Sequence, residues 1–266
     1  MVNEAQLNMK IGNHKLSLIS STHYLKLFYR SALFLIAAAV YVIGRISGEK
    51  EPFGEIEEAH WLLNMIWIVY AVEMVLRFFP SKTESMGSQR QFARNYRPTG
   101  ETDPEMPPWQ RTFGAAAAWF ALNGAIGGLY FAGVIDRDIL ILISFAYGVC
   151  DMICILFFCP FQTWILKNRC CSVCRIYNWD YAMMFTPFVY IPNPYTLSLL
   201  AMSLVLLARW EITLHLYPER FSDRTNASVQ CRNCKEKLCQ HKQQLHSLWK
   251  HIAKFTAERT RRLRRG

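Results

Sequence analysis

Cys171 and Cys174 bracket one C-x2-C turn, and Cys231 and Cys234 bracket a second. A tight turn of this spacing presents two thiolates at the separation a tetrahedral ion requires, with Zn–S bonds of about 2.3 Å. Together the two pairs form a four-sulfur set suited to a structural Zn2+. Cys170, Cys239 and His241 are alternative donors, the last two completing a tail-only set with Cys231 and Cys234. The surplus of thiols also admits iron or an iron–sulfur cluster. The knuckles stand 57 positions apart, far more than the roughly 15–20 of a continuous zinc ribbon. The chain between them must therefore leave and come back.

A second chemistry lies in ionisable residues within apolar runs, because an unpaired charge in hydrocarbon costs several kcal/mol or changes its protonation. Glu73 and Asp151 are of this kind. Both fall roughly 10 Å from the same end of their helices by helical rise, so they can face one cavity suited to a proton, a cation or a cationic solute. Arg77, Asn123, Arg209 and Glu211, with His215, are candidates to line that cavity or its mouth. The competing structural readings are a local Glu73–Arg77 pair at i, i+4 and a snorkelling Arg209. Cys150, Cys154 and Cys159 read mainly as small apolar packing residues.

The elements that must position these groups are membrane helices. Of 266 residues, 52% are hydrophobic and 19% charged, too apolar a mixture for an ordinary soluble domain. The apolar residues gather in runs, and a bilayer core about 30 Å thick needs roughly 20 helical residues. The expected spans are residues 24–43, 61–79, 113–134 and 139–158, followed by a paired region 179–216 broken at "IPNP". The first part of that region is short and carries Pro187. In its second part, Asn193 can cap a helix that Pro194 opens. Small residues around Gly124, Gly127 and Gly128 predict close helix packing. The fold class is thus an all-α polytopic membrane protein, with five clear spans and a short Pro-broken segment paired with the last one.

Charge sets the sidedness. If the broken region returns to the side it left, all of the 30 Lys and Arg except Arg45, Lys50 and Arg137 fall on one side, which the positive-inside bias makes cytoplasmic. The expected organisation is a cytoplasmic segment 1–23 and a helical bundle 24–216 with cytoplasmic loops 80–112 and 159–178. A basic cytoplasmic tail, 217–266, completes it. Both termini then lie inside a cell membrane, plasma or inner. Residues 238–263 pattern as a basic amphipathic helix, and the partners this implies are anionic inner-leaflet lipids or a protein. The net charge of +10 is explained by that topology rather than by nucleic acid. The sequon at Asn226 is discounted, since a cytoplasmic tail does not meet the glycosylation machinery.

No Walker A loop, H-E-x-x-H helix or G-x-S-x-G elbow is present in the sequence. The expected function is small-solute, cation or proton transport, or membrane sensing, on a zinc-clipped scaffold. The alternatives are a membrane-embedded enzyme using thiol or metal chemistry on a lipid or quinone-like substrate, and a scaffold that recruits a partner through its tail.

Overall fold

The computed structural model of the chain describes residues 10–11, 14–15, 18–54, 60–80, 86–168 and 173–234. These residues are predominantly helical. A two-residue antiparallel ladder, β1 (Lys10–Ile11) with β2 (His14–Lys15), precedes α1 (Leu18–Ile46). There follow α2 (His60–Leu76), a short α3 (Met86–Gln91), α4 (Trp109–Phe131) and α5 (Arg137–Leu156). After a π-helical turn (Phe161–Leu166) and a 3-10 turn (Arg175–Trp179) come α6 (Asp180–Phe185) and α7 (Pro194–Leu216).

The helix ends follow local chemistry. At the end of α1, Gly48 takes φ +86°, which lets Glu49 N–H reach back to the Gly44 carbonyl at 2.9 Å. Gly133, at φ +71°, closes α4 in the same way, with Val134 N–H on the Leu129 carbonyl at 3.0 Å. Both are glycine-dependent stops that satisfy orphan carbonyls. Asp136 then caps α5 by accepting from Ile139 N–H, and the chain reverses so that the Trp119 ring of α4 meets the Tyr147 ring of α5. Asn193 caps α7 ahead of Pro194, as the sequence predicts, and Thr196 completes a capping box with it.

Among the described residues, four helical stretches are long and apolar enough to cross a membrane: Ser21–Ile46 of α1, together with α4, α5 and α7. Four of the five clear spans expected from the sequence are found at that length. The second run forms α2, an apolar helix of 17 residues or about 25 Å, because the chain tightens into 3-10 turns after Leu76. The outward faces are apolar along these helices: Phe28, Ile36, Phe120 and Val205 are each more than half exposed. The charged side chains Arg30, Arg77 and Asp180 are buried instead. That inverted arrangement suits a hydrocarbon surrounding and not water.

Side-chain contacts fix how the helices run. Arg30 meets Asp151 while Tyr41 meets Asp136, so α1 and α5 are antiparallel. Trp67 meets Ser198 and Phe78 meets Arg209, so α2 and α7 are parallel. The segment comprising α6 and the 3-10 turn Thr186–Tyr190 runs parallel to α4, with Trp119 Nε1 on Thr186 and the Tyr190 hydroxyl on the Asn123 carbonyl. It then turns at Ile191–Asn193 and returns as α7. Tyr70, Met74, Tyr181, Phe185, Leu206 and Trp210 form the centre of the apolar core.

The small residues of α4 do not act as expected. A Cβ on Gly124 or Gly128 would meet nothing within 4 Å, whereas one on Gly127 would lie 2.4 Å from the Tyr190 ring. The close approach is therefore at Gly127, which admits an aromatic ring rather than another helix backbone.

At the end of the bundle where α2 and α7 finish, residues 86–108 and 217–234 knit together. Thr99 N–H donates to the Thr225 carbonyl at 3.1 Å, and Ala227 N–H donates to the Arg97 carbonyl at 2.8 Å. Asn226 is fully buried between them. Its amide donates to the Arg90 and Arg220 carbonyls and its oxygen accepts from Arg97 and Ser228 N–H groups. With both ends of that amide committed, the sequon side chain is a structural tie.

Candidate functional site

Glu73 and Asp151 come together, and the group that joins them is Arg30. Its guanidinium is 1% exposed, reaching Glu73 Oε2 at 2.9 Å and Asp151 Oδ2 at 3.0 Å. It also donates to the Gly148 carbonyl at 3.2 Å. Lys26, one turn earlier on α1, reaches Glu73 Oε1 at 3.1 Å. The Tyr29 and Tyr181 hydroxyls donate to the two oxygens of Glu73 at 2.7 and 2.9 Å. Spacing on α1 explains this geometry, since residues 26, 29 and 30 share one face of the helix. The result is two cations balanced against two carboxylates in a low-dielectric interior.

A second pair extends the network toward the end of α2. Arg77 binds Asp180 through two contacts, at 2.8 and 2.5 Å. The Tyr181 ring lies beneath both guanidinium groups, 5.7 Å from Arg30 and 4.7 Å from Arg77. The expected Glu73–Arg77 pair is thus replaced. Arg77 stands beyond the last turn of α2, and its backbone is in a 3-10 turn, so its side chain leaves the i, i+4 position and turns to α6.

Asp151 differs from Glu73 in its surroundings. Glu73 is enclosed by four side chains, whereas Asp151 borders a cavity of about 110 Å³. Trp119, Tyr147 and Phe161 form aromatic walls, with ring centroids 4.6 and 6.2 Å from Trp119. Cys150, Cys154, Cys159 and Cys174 line the same space. Asp180 also borders it, so the cavity floor is acidic but each carboxylate already faces an arginine. Cys150, Cys154 and Cys159 are therefore cavity residues rather than pure packing: Cys150 is exposed, and Cys154 and Cys159 are half-buried.

The other candidates fall outside this cluster. Arg209 donates to the Phe78 carbonyl at 2.5 Å and lies against the Phe78 and Phe92 rings. Glu211 receives Arg175 at 2.5 Å and the Trp179 indole N–H at 2.6 Å, beside a separate cavity of about 320 Å³ that His215 also borders. The Asn123 amide donates to the Trp119 carbonyl on its own helix, and its side chain is buried. The groups that the sequence reading missed are Tyr29, Asp180 and Tyr181, together with the pairing roles of Lys26 and Arg30. Arg30 lay inside an apolar run like Glu73, which was signal enough to seek a buried partner.

For the cysteine knuckles, Cys171 and the alternatives Cys170, Cys239 and His241 lie outside the described residues. Among the described residues, no group of three or more His, Cys, Asp or Glu can hold a metal ion. Cys174 and Cys234 are buried and Cys231 is exposed. Both knuckle regions nevertheless converge on α3. Arg90 donates to Cys234 Sγ at 3.2 Å, and Gln91 accepts from Asn178, four residues past Cys174, at 2.9 Å.

The class defined by these observations is an all-helical protein with four apolar helices of membrane-crossing length around a buried ionic network. No protein-family model matches the chain, and neither curated proteins nor solved structures are significantly similar to it.

Proposed function

We propose that the chain is a polytopic protein of a plasma or inner membrane that transports or senses a small solute, a cation or a proton through the cavity beside Asp151. In this reading α2 is a fifth crossing and residues 180–190 are a short sixth segment. Both termini are cytoplasmic, and the basic tail lies against anionic inner-leaflet lipids. The observation that carries the reading is Asp151 itself: its side chain is 16% exposed, holds Arg30 by one oxygen and borders the cavity. An acid within a membrane-length helix that retains access to a cavity can exchange a proton or meet a cation. Glu73, enclosed by its partners, holds Arg30 in position.

The test is flux in reconstituted liposomes loaded with a pH-sensitive dye, under an imposed potential. Asp151→Asn is expected to reduce protein-dependent proton flux roughly tenfold or more, in line with loss of an essential proton carrier. Unchanged flux in a folded Asp151→Asn protein, with sodium and potassium gradients also unaffected, would remove the role.

Zinc is proposed at Cys171, Cys174, Cys231 and Cys234, where it would clip the two ends of the 175–230 hairpin. The support is that Asn178 and Cys234 both bond to α3, although Cys174, Cys231 and Cys234 do not by themselves form a metal-holding group. A second reading, a membrane-embedded enzyme acting on a quinone-like substrate, is favoured by one observation: four cysteines line the cavity.

A further inference from the structure

We infer that Cys154 and Cys159 are a redox dithiol, oxidised to a disulfide by a lipid-soluble quinone seated in the cavity. This rests on the enzymatic reading of that cavity and names its substrate class.

The sequence around the pair explains why two cysteines five positions apart can meet. Helix α5 ends at Leu156, and Phe157 and Phe158 N–H groups both fold back onto the Ile153 carbonyl, at 2.8 and 3.0 Å. The chain then turns through Cys159 and Pro160 into the π-helical turn. This brings the Cys159 thiol back to that of Cys154, with which it is hydrogen-bonded. Gln162 N–H donates to Cys159 Sγ at 3.4 Å, which orients that thiol. Two thiols in contact give up two electrons and two protons as a unit.

The surroundings select the acceptor. Cys150 is exposed well inside a helix of membrane length, on the same face as Cys154, and both line the cavity, so one wall of it is reachable from the hydrocarbon side in this reading. A reactant entering there must be lipid-soluble. The Trp119, Tyr147 and Phe161 rings offer faces for a planar ring, and the Gln162 side chain lies at the same wall. A quinone matches the dithiol in electrons and protons. One thiolate sulfur adds to the quinone, and the second attacks that sulfur. The S–S bond forms as the carbon–sulfur bond breaks, and the electron pair leaves with the ring as hydroquinone. The two protons released from sulfur end on the two quinone oxygens. Asp151 borders the route by which a proton can pass.

The experiment uses the full chain in lipid nanodiscs, reduced, freed of reductant and mixed anaerobically with a short-chain ubiquinone analogue. Quinol is followed by absorbance, and thiols are trapped by alkylation and located by mass spectrometry. The expected result is about one quinol per chain and a Cys154–Cys159 disulfide. Cys154→Ser and Cys159→Ser should each lower the quinol yield roughly tenfold or more, while Cys231→Ser retains it. Because the disulfide is located in the unmodified protein, the readout survives a variant that fails to fold. Three results would overturn the inference: no disulfide between these residues under excess quinone, full quinol yield from the doubly substituted protein, or oxidation by glutathione disulfide but not by quinone. The proton-flux assay does not depend on thiol state. A redox failure with Asp151-dependent flux intact would leave the solute reading standing and remove the enzymatic one.

Discussion

Arg30 is the residue on which the buried network turns. Two carboxylates that repel each other share its guanidinium, and two tyrosine rings lie 5.7 Å from it. Replacing one partner of a buried ion pair costs about 3–5 kcal/mol, chiefly because the charge left behind has no counter-ion. Arg30→Met should therefore lower the thermal midpoint of the detergent-solubilised protein by far more than Arg209→Met, whose guanidinium meets a carbonyl and aromatic rings among the described residues. Arg30→Lys should fall between, since an ammonium cannot span Glu73 and Asp151 as a planar fork does. Equal midpoints for Arg30→Met and Arg209→Met would show that the network is not the stabilising centre described.

Among the elements, the contact of α4 with the segment 180–190 depends on a missing side chain. The Tyr190 ring occupies the place of a Cβ at Gly127. Gly127→Ala forces the ring to move, an overpacking that costs typically about 1–3 kcal/mol. Gly124→Ala and Gly128→Ala meet open space and should leave the thermal midpoint within error. The sequence marked the stripe of small residues but not the member in use, because G-x-x-x-G spacing describes one helix and the partner here is a ring from another segment. The same limit explains the ionic network. Glu73 and Asp151 were legible as charges in apolar runs, and the cap at Asn193 as a local motif. The exchange of Arg77 from Glu73 to Asp180 was not, since it follows from α2 stopping at Leu76. Arg30 was legible as a topological charge, and only tertiary packing gave it two anions.

For the whole molecule, the parallel and antiparallel contacts return the chain after Tyr190 to the end it left, which the basic residues mark as cytoplasmic under the proposed topology. Single cysteines placed at position 103 and at position 223 should then be labelled by a membrane-impermeant maleimide from the same side, and one at position 48 from the other. Metal content is a separate prediction. Protein purified without chelator should carry about one zinc per chain, lost in both Cys171→Ser and Cys231→Ser. Loss in Cys231→Ser alone would shift the site to the tail, and metal-free wild-type protein would dismiss the clip.

The tie at Asn226 also imposes an order of events during synthesis. Its partners Arg90 and Arg97 emerge from the ribosome before α4, α5 and α7 have been made, some 129 to 136 residues ahead of it. Residues 86–108 can therefore bond to residues 217–234 only once α7 has been made, and until then the carbonyls of Arg90 and Arg97 lack the amide groups that later bind them. A chain ending before Ser222 would leave the Arg90 and Arg97 carbonyls and the Arg97 N–H without the partners that Asn226 and Ala227 supply.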